Sequence, residues 1–119
     1  MRDHRKLKAF ELADTLVVSV YAETRAFPRA ELFGLTSQMR RAAVSVAANI
    51  VEGSAREGEA EYLHFLNMAF GSLREVGYYI DLASRLQSLP AEVAKTLNAR
   101  YDETARVLSG LMQSLRRTS

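Results

Sequence analysis

Residues 59–86, EAEYLHFLNMAFGSLREVGYYIDLASRL, decide the fold. Tyr62, Phe65, Ala69, Ser72, Val76, Tyr79, Ala83 and Leu86 recur there at steps of three and four, and so do Leu63, Leu66, Phe70, Leu73, Gly77 and Ile80. Each series has the period of one helix face, so the stretch predicts a long helix that is apolar around most of its circumference. A monomeric bundle needs only one such stripe. A helix of this kind is buried on more than one side, and in a small protein the second side is expected to meet another subunit. Self-association follows as an expectation, without its order. Gly71 and Gly77 each cost about 1 kcal/mol relative to alanine inside a helix, which points to close backbone packing or a bend.

Working outward, three more helices emerge. The two prolines, Pro28 and Pro90, follow the ends of periodic segments, where a residue without a backbone N–H is tolerated. Phe10, Ala13, Val17, Val20 and Thr24 mark a first helix over about residues 7–26. Pro28 opens a short turn and Gly34 suits a reversal. Thr36 is the expected N-cap of a second helix over about 37–55, with Met39, Ala43, Val46 and Ile50 on one stripe and small residues Ala42, Ala43, Ala47 and Ala48 for close approach. The third helix covers about 59–86. Val93, Leu97, Tyr101, Thr104, Leu108, Leu111 and Leu115 form the seam of a fourth over about 90–116. Strand alternation is missing throughout. The prediction is an all-α, up-down-up-down antiparallel four-helix bundle occupying residues 1–119 as a single domain, because short connections favour antiparallel neighbours.

Composition agrees with that class. A chain of 119 residues, 48% hydrophobic, buries roughly two-thirds of its unfolded surface and needs no staple. The absence of cysteine excludes disulfides and thiolate metal sites. No stretch approaches the ~20 apolar residues that span a bilayer, and Asp3, Glu11, Asp14 and Glu23 interrupt any signal-peptide core, so no membrane association and a cytoplasmic location are expected. The net charge of +2 is mild but unevenly placed. Arg2, Arg5, Lys6 and Lys8 stand against Asp3 alone, and Arg116 and Arg117 close the chain. In the predicted topology these two segments meet at one end of the bundle, where they could contact phosphates. Alternatively, they merely keep a more acidic body soluble.

The remaining polar residues give little chemistry. Gln38, Arg41, Ser45, Asn49 and Glu52 share one face of helix two, with Ser72 and Glu75 as partners on helix three. The plainer reading is a structural hydrogen-bond network, with Arg41 paired to Glu75; the sharper one is a polar ligand site. Arg40 and Arg41 could grip a phosphate but lack a glycine-rich nest. Glu61 and His64 form one Glu-x-x-His unit of the two a di-iron bundle uses, and His4 is the only other histidine, so no metal site is expected. Gly53 to Gly58 has the glycine spacing of a phosphate loop but not its Lys-Ser/Thr pair, and reads as a turn. Glu57, Glu59 and Glu61 favour a helix start electrostatically. No nucleophile with a base and no cofactor loop can be assembled, so neither an enzyme nor a cofactor is expected.

Several fragments together resemble the four-helix bundle family of bacterial 23S rRNA intervening-sequence proteins. They are Phe27-Pro28 with Glu31 and Gly34, the run Ser37 to Ala42 (SQMRRA), Ser45 to Gly53 (SVAANIVEG), and Phe65 to Glu75 (FLNMAFGSLRE). The sequence departs from the family pattern at Ala47, where many relatives carry proline, and at Val51, where alanine is common. The family looks related to the accessory variability determinant of diversity-generating retroelements, and the resemblance implies a ring-like homopentamer of four-helix protomers. The retroelement relatives use basic surface residues on nucleic acid. The combined expectation is a non-enzymatic homo-oligomeric scaffold that binds structured RNA, or an RNA–protein assembly, through the basic end. The alternative is a protein-interaction adaptor without nucleic-acid contact.

Overall fold

The computed structural model describes residues 2–118 and contains four α-helices: α1 (Lys8–Thr24), α2 (Leu35–Ser54), α3 (Glu59–Arg85) and α4 (Ala91–Thr118). Single 3-10 turns occupy His4–Lys6 and Arg29–Glu31, and no strand occurs among the described residues. Each helix packs on its chain neighbours, and α1 also packs on α4, giving a four-helix bundle 45 × 23 × 20 Å in extent. Cross-helix contacts run in opposite sequence directions. Arg40 of α2 reaches Thr24, while Arg2 ahead of α1 reaches Ser54 at the far end of α2. Likewise Gly77 of α3 faces Tyr101, and Asn67 faces Arg116. Among the described residues no helix is long and apolar enough to cross a membrane.

The core explains the wide apolar face of α3. Its buried residues are Tyr62, Leu66, Ala69, Leu73, Val76, Ile80 and Ala83, drawn from both stripes, while Leu63, Phe70 and Tyr79 pack half-buried beside them. The second stripe is therefore largely spent within the protomer, because α2 and α4 flank α3 on two sides. Leu16, Met39, Ile50, Leu73, Leu97 and Leu108 are fully buried on the facing helices and α3. Each such side chain contributes about 1.5–3 kcal/mol by leaving water. Phe27, Leu35 and Leu89 close the core at the ends, each below 8% exposed.

Glycine serves two different purposes. A Cβ on Gly53 would lie 2.9 Å from the Phe65 Cβ and 3.3 Å from the Tyr62 carbonyl, so that position requires a hydrogen for close packing, whereas one on Gly77 would lie 2.7 Å from the Tyr101 ring, which would have to shift. Gly71 is exposed with nothing within 4 Å, so close packing within the protomer does not account for it.

Helix ends depart from the sequence expectation at one place. Helix α2 begins at Leu35, so Thr36 is not its N-cap but lies inside the first turn, 3% exposed. The Glu31 carboxylate instead accepts the Leu35 N–H at 3.1 Å. At the α3–α4 turn, Ser88 N donates to Ala83 O and Gln87 N to Ser84 O, the paired bonds of a Schellman motif. Gln87 takes the left-handed position that the motif requires, with φ 61°.

Candidate nucleic-acid interface

The two basic terminal segments lie toward the same end of the bundle. Arg2 N donates to Ser54 O at 3.2 Å, which fastens the N-terminal arm to the end of α2, and Arg116 at the end of α4 donates to Asn67 Oδ1 of α3 at 3.2 Å. The six predicted contact residues nevertheless differ in what they have left to offer a ligand. Arg2 is a structural latch: its guanidinium donates to Arg56 O at 2.7 Å and lies 4.0 Å over the Tyr62 ring. Arg5 donates from Nε and Nη2 to the Asp3 carboxylate, both at 3.0 Å. That pairing holds the Asp3 carboxyl below its ordinary range and raises the Arg5 guanidinium, although both sit in open solvent, where such a pair contributes little. Lys8 pairs with Glu11 at 3.5 Å, one turn along α1. Lys6 and Arg117 are exposed and join no ion pair among the described residues.

The neighbouring α2–α3 turn tempers the field. Arg56 adds a cation there, but it pairs with Glu52 and stacks 4.9 Å from the Phe65 ring. Glu57, Glu59 and Glu61 are exposed in the turn and the first turn of α3, where carboxylates complement the helix dipole. Tyr62 is 2% exposed; its hydroxyl makes no well-formed hydrogen bond among the described residues, although the Ser54 side chain lies close enough to favour its ionised form. Burial pushes its ionisation upward, partly offset by the nearby Arg2 charge.

The polar stripe of α2 is divided into three parts. Ser45 and Ser72 share a 2.8 Å hydrogen bond across α2 and α3, and Asn49 donates to the Ser45 carbonyl at 2.9 Å and hydroxyl at 3.1 Å. These three are half-buried and fix register. Arg41 donates to Gln38, Glu52 turns to Arg56, and Glu75 is exposed. The anticipated Arg41–Glu75 pair is not formed, because Gln38 one turn earlier on the same helix takes the guanidinium. Arg40 is likewise engaged, donating from Nε to Thr24 Oγ1 at 2.8 Å and lying 4.7 Å over Tyr21, so it clamps α1 to α2.

Elsewhere, Glu61 and His64 are both exposed, His4 packs edge-on to Phe10 at 4.7 Å, and no group of three metal-ligating side chains occurs among the described residues. The sequence reading missed a second gathering of charge at the α1–α2 corner, where Arg25, Arg29 and Arg40 border one cleft and Arg40 and Arg41 border an adjoining one with the exposed Phe33. Its signal was two arginines flanking Phe27-Pro28, but only the fold brings them to the start of α2.

Comparison with known proteins agrees with this architecture. No curated protein matches the chain. A crystal structure of a protein with unknown function from the S23 ribosomal protein family of Bacteroides thetaiotaomicron superposes with a TM-score of 0.78 at 20% identity, covering 87% of this chain and 97% of that one. At that identity the likeness establishes the shared helical fold. Residues 5–110 match the 23S rRNA-intervening sequence protein family, nearly the whole chain, and the protein therefore belongs to that family.

Proposed function

We propose that the protein is a non-enzymatic cytoplasmic scaffold whose up-down-up-down protomers form a ring-like homo-oligomer, a pentamer by family resemblance, and contact structured RNA or an RNA–protein assembly. The observation that supports this reading is that both basic termini lie toward one end of the bundle, with Lys6 and Arg117 exposed and in no ion pair among the described residues. Cations gathered at one end of a protomer would be multiplied by symmetry, and phosphate contacts of that kind supply salt-dependent affinity. Exposed Val18, Val44, Met68 and Tyr78 leave apolar area on the sides of the bundle, which supports self-association. Arg2, half-buried with its guanidinium on Arg56 O and the Tyr62 ring, has less to offer a phosphate than Lys6 and Arg117.

The test is a fluorescence-anisotropy titration with a structured rRNA-like stem-loop and an unrelated duplex at low and moderate salt. Saturable, salt-sensitive binding that prefers the stem-loop, and that weakens in Lys6→Ala/Arg117→Ala, is the expected result. A stem-loop that fails to bind even at low salt refutes it. The near balance of acids and bases around the α2–α3 turn favours a second reading, a protein-interaction adaptor. Its partner contacts would persist at high salt, where phosphate contacts fade.

A further inference from the structure

At the end of the bundle opposite the termini, α1 passes into α2 through residues 25–34. Two clefts adjoin there. One, of about 360 Å³, is bordered by Arg25, Arg29 and Arg40, and the other, of about 490 Å³, by Phe33, Arg40 and Arg41. Leu32, Thr36 and Arg40 are common to both, so the two form one continuous depression. Among the described residues none of the four arginines takes part in an ion pair. The acid within the turn itself, Glu31, is half-buried and spends its carboxylate on the Leu35 N–H. Positive charge here is therefore less countered than at the terminal end, where Asp3, Glu11 and Glu52 each hold a cation.

Phe33 adds a different chemistry. It is 92% exposed, so nothing in the protomer covers its ring, and it stands beside Arg41 at the rim of the second cleft. Arginine guanidiniums match phosphate oxygens in a planar, two-pronged way, and an uncovered aromatic face is a platform on which an unpaired base stacks. A protein partner is the poorer fit. Tyr21, Leu32 and Phe33 supply the exposed apolar area of the depression, and Tyr21 already lies under the Arg40 guanidinium, whereas a stable protein interface takes about 800 Å² from each side. A duplex would hide its bases from Phe33.

We propose that this corner binds single-stranded nucleic acid, with phosphates on Arg25, Arg29 and Arg41, the last exposed and giving only Nη2 to Gln38, and a base stacked on Phe33. Arg40, anchored by Thr24 and Tyr21, forms the floor between the two clefts. This site shares only its ligand class with the terminal-end reading and stands or falls separately, because it lies at the other end of the bundle and takes an unpaired strand.

The experiment uses the full chain and a short fluorescein-labelled oligouridylate, followed by anisotropy at several salt concentrations. The wild-type protein is expected to bind saturably. Phe33→Ala, whose ring touches no core, should weaken binding about tenfold with an unchanged circular dichroism spectrum. Arg25→Gln/Arg29→Gln/Arg41→Gln should lower the log–log salt slope by about 2, at ~0.7 per single-strand phosphate contact. Lys6→Ala/Arg117→Ala should bind the oligouridylate normally while losing the stem-loop, which separates the two sites. No oligouridylate binding by the wild type, or equal affinity in the corner variants, overturns the proposal. So does displacement of the strand by a glutamate- and leucine-rich peptide that binds more tightly, which would assign the corner to a protein partner.

Discussion

Two glycines six residues apart on α3 should respond to alanine with opposite signs. In a helix interior the exchange alone gains about 1 kcal/mol through lower backbone entropy in the unfolded chain and better propensity. At Gly71 the new methyl meets nothing within 4 Å, so Gly71→Ala should stabilise the protomer by about 1 kcal/mol. At Gly77 the methyl would stand 2.7 Å from Tyr101 Cζ and 2.8 Å from Cε1, and the half-buried ring must move. Overpacking of that kind costs about 1–3 kcal/mol, which exceeds the propensity gain and leaves Gly77→Ala about 1 kcal/mol less stable. For a chain of this length 1 kcal/mol shifts Tm by about 4 °C, so thermal unfolding followed by far-ultraviolet circular dichroism should separate the two variants by about 8 °C. Adding Tyr101→Ala to Gly77→Ala should reverse the sign of the glycine effect, since the obstructing ring is gone. Equal gains at Gly71 and Gly77 would refute the packing argument. A loss at Gly71 would mean that another subunit lies against that face.

Other residues at the terminal end can be tested in the same way. Arg2→Ala removes a charge-assisted hydrogen bond and a ring contact, and should cost about 2 kcal/mol in urea unfolding while leaving RNA affinity at low temperature unchanged. Tyr62→Phe deletes a buried hydroxyl that makes no well-formed hydrogen bond and has only the Ser54 side chain close by, so it should change stability by no more than about 1 kcal/mol. The same variant should change the alkaline limb of stability. Because burial raises the Tyr62 ionisation above 10.0, the unfolded chain loses that proton first, so wild-type stability should fall as pH rises through the ordinary tyrosine value, and less so in the phenylalanine variant. Gln87→Gly should raise stability by up to about 1 kcal/mol in thermal unfolding, since glycine takes the left-handed position without strain.

The helices were legible because periodicity and proline placement are local. What the period of α3 could not distinguish was lateral burial between two neighbours of one bundle from burial against another subunit. Both produce a face wider than one stripe, and here Leu66, Leu73 and Ile80 from one series join Tyr62, Ala69 and Val76 from the other in a single core. Thr36 had the right chemistry for a cap, but the Glu31 carboxylate reaches the first free N–H from four residues upstream and lets the helix start earlier. The candidate interface was readable as charge and not as availability. That Arg2 would be taken by residues near position 56, while Lys6 stayed in solvent, depends on contacts between segments far apart in sequence. The α1–α2 corner was hidden for the same reason, since Arg25 and Arg40 are brought together only by the turn.

The scaffold reading joins two properties, assembly and RNA contact, and sedimentation velocity measures both. The account predicts that the chain alone sediments as a species several times its 13.3 kDa protomer mass and shifts to a faster boundary carrying the stem-loop's absorbance. A 13.3 kDa monomer that sediments apart from the RNA would contradict it.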